Sequence, residues 1–223
     1  INIKNAILVD VSGIDDKISY FRKKGAFTNI KDIEKAVAGN RKTLRYMNFS
    51  KLDLNNIKLE NVDLTGSVFE EAKLNKANLN NALLTNTNFR NAELRQAVMV
   101  KAGLENADFG RADLRGAILV AANMKAANCS GAEFWRANMA KVNLQSANLE
   151  ATGLVEANLY KANLAKADLN LADLSGAILY KANLEKITGV SKEIIVELLA
   201  RTKQKPARSK LKKVAGEKND AKK

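Results

Sequence analysis

Twenty-four carboxylates, one cysteine and no histidine are the side chains with which this 223-residue chain could attempt catalysis. Asp108/Asp113 and Glu70/Glu71 can each be nominated as a carboxylate pair for general acid–base work. The absence of histidine removes Ser–His and Cys–His nucleophile pairs and imidazole metal ligation. A lone Cys129 excludes an internal disulfide framework and thiolate zinc sites, and suits a reducing compartment. No phosphate-cradling glycine loop and no EF-hand spacing is present. What recurs instead is the chemistry of non-covalent recognition, in which Trp135, Tyr160 and Tyr180 alternate with Arg115, Arg136, Lys141, Lys161 and Lys181. Those residue types dominate binding hot spots.

Their spacing belongs to a repeat. From Leu44 to Leu184 every fifth residue is Leu, Phe or Met, 29 positions without an insertion, with Cys129 the single exception. Two residues before most of them sits a small residue, Ala at every repeat from Ala92 to Ala137. Asn or Asp commonly lies between them, as in Ala77-Asn78-Leu79 and Ala107-Asp108-Phe109. A period of five fits neither a helix nor a strand. It requires a chain that turns a corner every five residues and returns two side chains inward each time. Phe49, Phe69, Phe89 and Phe109 lie 20 residues apart, and Phe134 alone of the repeat-centre phenylalanines departs from that series. Like side chains stack best in a narrow lumen, so four pentapeptides per turn, a square coil, is the expected closure.

The A-[ND]-L-x-x pattern over residues 42–187 resembles the pentapeptide repeat family. The resemblance implies an all-β solenoid, a right-handed quadrilateral β-helix of about seven coils. At about 4.8 Å per coil such a rod is about 35 Å long. Solenoids are stabilised by neighbour stacking and expose two raw ends, which need covers. Ser191–Thr202 reads as a capping helix, with Ser191 as N-cap and Ile194/Leu198 and Ile195/Leu199 as apolar pairs. Two further helices are expected, one opened by Asp15-Asp16 and closed at Gly25, the other from Asn29 to Ala38 with Gly39 as its stop. Residues 1–40 are therefore expected as a small helical cap, residues 41–190 as the β-helix, 191–202 as the C-terminal capping helix and 203–223 as a disordered basic tail. A partner-binding head is the alternative for 1–40.

Folding the register into four sides sorts the outward residues into columns. Most are bland, such as Asn123, Asn143, Asn163 and Asn183, whose amides are expected to hydrogen-bond along the axis. The side centred on Met99, Leu119, Met139, Leu159 and Leu179 differs. It carries Val98, Ile118 and Ile178 where the repeat usually has Asn or Asp, then Val100, Val120, Tyr160 and Tyr180, then Lys101, Lys141, Lys161 and Lys181. The adjoining side adds Arg95, Arg115, Trp135 and Val155 in one column, with Arg136 beside Trp135. Arg115 and Trp135, one coil apart, are expected to make a cation–π contact. The candidate binding face is thus Val98, Val100, Lys101, Arg115, Ile118, Val120, Trp135, Arg136, Lys141, Tyr160, Lys161, Ile178, Tyr180 and Lys181. β-Branched residues favour strands whether or not anything binds them, which is the alternative account of the strip. The carboxylate pairs fall on different sides or on a convex surface without a pocket, and Cys129 falls inward. No catalysis, cofactor or metal is expected.

The net charge of +13 divides as +2 over residues 1–40, +4 over 41–190 and +7 over 191–223. No apolar run is long enough to span a membrane. The chain starts Ile1-Asn2 without a basic-then-apolar leader, so no signal peptide is expected unless an earlier segment was trimmed, and the sequons at Asn48 and Asn128 read as chance. Four functions fit these features. Foremost is a non-enzymatic scaffold that docks a protein through the apolar–basic side. A DNA mimic acting on a type II topoisomerase such as gyrase, a property of some members of the family, ranks lower because mimicry needs a strongly negative surface. Nucleic acid or an anionic surface could be held by residues 203–223, with steep salt dependence, although a solubilising tail is preferred. An effector exported by a bacterium into a host cell is the fourth. A bacterial cytoplasmic location is expected, the host cell being the alternative, and a homodimer is left open.

Overall fold

The computed structural model describes residues 43–205. The cap expected over 1–40 and the tail beyond residue 205 lie outside the described residues. Among the described residues twenty-six parallel backbone bridges, from Thr43↔Asp63 to Asp168↔Thr188, each join residues 20 apart. The 20-residue spacing of the phenylalanines is therefore the length of one coil, made of four five-residue sides.

The hydrogen bonding around Phe89 shows how one side is built. The Phe89 N–H donates to the Asp108 carbonyl in the next coil at 2.6 Å, and the Asn88 N–H donates back to Ser67 at 3.0 Å. The Asn91 N–H reaches Gly110 at 2.9 Å, and the Ala92 N–H closes the corner onto the Phe89 carbonyl at 3.0 Å. Over three residues the chain alternates as a strand does, small residue in, polar residue out, bulky residue in. The next two residues make the corner. The last of them takes a positive φ in 25 non-glycine residues, from Tyr46 to Lys186, and in Gly66, Gly116, Gly131 and Gly176. Positive φ at the third position under a closing bond is the geometry of a type II turn, which favours Gly and Asn.

The lumen is filled by like stacked on like. Rings of Phe49, Phe69, Phe89 and Phe109 follow one another at 4.8, 5.1 and 5.0 Å. Cys129 continues that column and is fully buried. Where Ser67, Thr87 and Thr152 replace the small inward alanine, each hydroxyl donates to a carbonyl one coil up, those of Leu44, Leu64 and Cys129. Buried hydroxyls are thereby satisfied rather than left as a desolvation cost.

After the last coil comes helix α1, Lys192–Lys203. Ser191 accepts from the Ile194 N–H, Glu193 lies in the first turn, and Arg201 and Lys203 lie in the last, so both dipole ends are complemented. Leu198 is buried against the core. The Arg201 guanidinium donates to the Leu174 and Ala177 carbonyls at 2.9 and 2.7 Å, and the Thr202 carbonyl accepts from the Lys181 N–H at 2.7 Å. Part of the sheet edge left by the last coil is thus bonded by the end of α1. A cleft of about 1060 Å³ remains between the two, lined by Leu174, Ile178, Ile194, Leu198 and Arg201 among others.

This packing corrects one expectation. Ile178, placed on the exposed strip by its column, is only 7% exposed. It lies beside the last turn of α1, which Arg201 pins to the Ala177 carbonyl and Thr202 pins to Lys181. It faces the cleft that it shares with α1, a feature beyond the repeat, so the repeat register alone could not show its surroundings.

Candidate protein-docking face

The Met99 side presents a strip in which Val98, Val100, Ile118, Val120, Tyr160 and Tyr180 are partly exposed. Backbone bridging puts Val98 directly beside Ile118 in the next coil. Further along, Asn158 takes the same position, 5% exposed, donating to the Asn138 amide oxygen at 3.1 Å and accepting from the Tyr160 N–H. The tyrosine rings stack at 5.9 Å, 21° apart. Lys161 Nζ lies 5.3 Å from the Tyr160 centroid and Lys181 Nζ 5.5 Å from that of Tyr180. Each ammonium therefore sits over an aromatic face that attracts it.

The four corner lysines, Lys101, Lys141, Lys161 and Lys181, are exposed. None forms an ion pair with a described carboxylate. From Val98 to Lys181 this side carries no Asp or Glu at all. Its positive charge is left to solvent or to a partner.

The adjoining side, centred on Leu114 and Phe134, behaves differently. Asp113 takes Arg115 at 2.8 Å and Arg95 at 2.6 Å. Burial pushes the Asp113 carboxyl up, but hydrogen bonds from Arg115 and Arg95 outweigh this and hold it below the ordinary carboxylate value. The bond to Asp113 likewise raises Arg115. Arg136 meets Glu156 at 2.7 Å and lies 4.7 Å from the Trp135 centroid. The expected contact of Arg115 with Trp135 is therefore corrected. The cation over Trp135 is Arg136, its sequence neighbour, while a two-residue reach gives Arg115 the Asp113 carboxylate, shared with Arg95, in place of a ring. Trp135 remains 40% exposed.

The structure thus brings the strip, the lysine ladder, Trp135 and Arg136 onto two adjoining sides, with Arg115 paired to the Asp113 that it shares with Arg95 and with Ile178 buried. Sequence reasoning missed Asp113 and Glu156 as the groups that occupy the arginines. Their signal is an acid two, 18 or 20 residues from an arginine, visible only once the coil length is known. Of the rejected catalytic candidates, Asp108 pairs with Arg90 at 3.2 Å on a different side from Asp113. Burial pushes the Cys129 thiol far up, so no thiolate nucleophile forms there. No group of three or more potential metal ligands occurs among the described residues.

A continuous ladder 20 residues in register, turned by left-handed corners around a stacked lumen, defines a β-helical repeat protein of the quadrilateral class. The family model for pentapeptide repeats matches residues 48–86, 77–116, 117–152 and 154–188, in eight copies. The chain belongs to the pentapeptide repeat family, whose fold is the right-handed quadrilateral β-helix. No curated protein matches it. Among solved structures it is similar to the pentapeptide repeat protein Rfr23 from the cyanobacterium Cyanothece 51142, with 34% identity over 41% of this chain and 58% of that one, TM-score 0.35. HetL from Nostoc sp. PCC 7120, described as involved in heterocyst differentiation regulation, is 25% identical over 73% of this chain and 98% of its own, TM-score 0.31. QnrB1, a plasmid-mediated fluoroquinolone resistance protein, is 16% identical over 75% and 99%, TM-score 0.38. No helix among the described residues is long and apolar enough to cross a membrane.

Proposed function

We propose that this chain is a non-enzymatic protein-binding scaffold that docks its partner on the Met99 side. The observation that carries the reading is the contrast between the two adjoining sides: on one, the arginines Arg95, Arg115 and Arg136 are held by carboxylates, while on the other Lys101, Lys141, Lys161 and Lys181 have none. A partly exposed apolar strip with a tyrosine pair runs beside those cations. Aromatic and apolar anchors flanked by unpaired charge are the make-up of an interface core and its rim. The Met99 side, without a carboxylate, is a poor imitation of a phosphate backbone, so we favour the scaffold over DNA mimicry for this face.

In this reading about seven coils make up the β-helix and residues 191–202 close its C-terminal end. The compartment is a reducing one, in keeping with a single buried thiol. The test is affinity capture with the full chain and with Trp135→Ser/Tyr160→Ser/Tyr180→Ser. The variant is expected to lose specific partners while its melting temperature stays within a few degrees, about what substitutions outside the core cause. Retention of the same partners removes the proposal.

A further inference from the structure

The docked surface also constrains the shape of what docks. Resting on the reading above, we infer that the Met99 side receives an acidic amphipathic α-helix lying along the rod axis, its carboxylates on the lysine ladder and its apolar stripe on the Val–Ile–Tyr strip.

Pitch carries the inference. Lys141, Lys161 and Lys181 occupy the same corner in three successive coils, with Lys101 two coils further up. The coil spacing is read from the phenylalanine stack, 4.8 to 5.1 Å. An α-helix repeats every ~5.4 Å along its axis, so carboxylates three or four residues apart follow the ladder with a lag of about 0.5 Å per turn. From Lys101 to Lys181, four coils or about 20 Å, that lag sums to about 2 Å, well within the reach of flexible lysine stems. A helix of about 13 residues spans this length. An extended strand along the same line places like-facing side chains ~6.7 Å apart and gains about 1.8 Å on the coils at each step, so it can meet Lys101 and Lys181 together but falls between coils at Lys141. Only the helical period keeps every cation matched.

The cross-section agrees. The apolar strip occupies two outward columns of this side, and the lysine corner follows the second of them directly. An α-helix ~10–12 Å across can set one stripe on each. Charge complementarity gives the sign: with no acid on this side from Val98 to Lys181, the partner supplies the carboxylates. The apolar half argues against a nucleic acid, since Val98, Ile118 and Val120 offer nothing to a phosphate backbone. Tyr160 and Tyr180 are also already stacked on each other, with Lys161 and Lys181 over the rings, and not splayed to receive bases.

The experiment is an unbiased selection of displayed random peptides, about 18 residues long so that a helix of the required span fits, on the immobilised full chain. Binders are re-tested on Tyr160→Ser/Tyr180→Ser and on Lys141→Ala/Lys161→Ala, each first shown to unfold as the parent does. The expected binders are lost on the tyrosine variant and weakened about tenfold or more on the lysine variant, as loss of complementary charge predicts. Their acids recur every three to four residues, and circular dichroism shows helix on binding. Binders that need the tyrosines but carry acids at every second residue, or ignore the lysines, overturn the helix and leave the docking side standing. Tyrosine-dependent preference for an oligothymidine over every selected peptide also overturns it. No tyrosine-dependent binder of any kind overturns both this inference and the scaffold reading.

Discussion

The corners of the coil make a quantitative prediction about the lysine ladder itself. Lys101, Lys141, Lys161 and Lys181 have φ between 56° and 60°, and Ala121, which fills the same column between Lys101 and Lys141, has φ 57°. A side chain in the left-handed region costs about 1–2 kcal/mol from the clash of Cβ with its own backbone. Glycine avoids that clash but loses about 0.4–1 kcal/mol through the greater freedom of its unfolded chain. Ala121→Gly should therefore raise stability by about 0.5–1 kcal/mol, the difference of those two terms. Lys141→Gly and Lys141→Ala remove the same charge and differ only in Cβ, so the glycine variant should be the more stable by a similar amount. The backbone bonds at these positions, 2.7 Å from Lys141 to Tyr160 and 2.9 Å from Ala121 to Ala140, survive all three changes. Urea unfolding followed by circular dichroism measures the difference, provided the slopes agree between variants. An alanine variant at 141 as stable as the glycine one, or an Ala121→Gly that unfolds earlier, would refute the claim that the corners hold strain. In the predicted case the lysines occupy corners that glycine would fill better, and a stabilising Lys141→Gly would weaken docking.

Other predictions concern the lumen and the charges. Phe89→Leu with Phe109→Leu should show a coupling of about 0.5–1.5 kcal/mol in a double-mutant cycle, the contribution of stacked rings beyond burial. Phe49→Leu with Phe134→Leu, on different sides and more than four coils apart, should be additive within about 0.5 kcal/mol; equal coupling in both cycles would deny the stack any special role. Asp113→Asn should destabilise at neutral pH. Because the folded carboxyl lies below its unfolded value, that contribution is complete above about pH 4 and fades as pH falls through the lowered value, so a pH-independent difference between variant and parent would contradict the pairing with Arg95 and Arg115. Cys129 should resist a thiol reagent at pH 8 in the folded chain and react at once in denaturant, since burial raises its proton affinity and closes access. Gly189→Ala should cost stability, since φ is +79° and an added Cβ would run into the Asn170 backbone; an unchanged melting temperature would contradict that contact.

Much of this architecture is legible before any coordinate is consulted. Side chains at Leu44, Phe49 and every fifth position to Leu184 all turn inward because a five-residue period admits no helix or strand of useful length. The phenylalanines reveal the coil because a lumen this narrow lets each ring touch its equivalent one coil away, so a size pattern in the sequence becomes a stack in space. The candidate site was legible only in part. Val98, Val100, Ile118, Val120, Tyr160 and Tyr180 fall on one side by arithmetic alone, and so do the four lysines. Arg115 and Ile178 did not behave as their columns implied: one turned two residues along its own strand to Asp113, the other faced the cleft that it shares with α1.

What the amino-acid sequence determined by itself is the register: coil length, sides, lumen, and the column to which each outward residue belongs. Those follow from periodic packing, a property of spacing and size that every copy of the repeat restates. Only the tertiary structure decided which cations are spoken for and which are free. Pairing between coils joins residues 18 or 20 apart through side-chain reach and rotamer, and at the last coil it depends on a helix outside the repeat. Register is imposed collectively by many equivalent contacts; the charge left over for a partner is set by a few individual ones, and those take shape only when the coils are stacked.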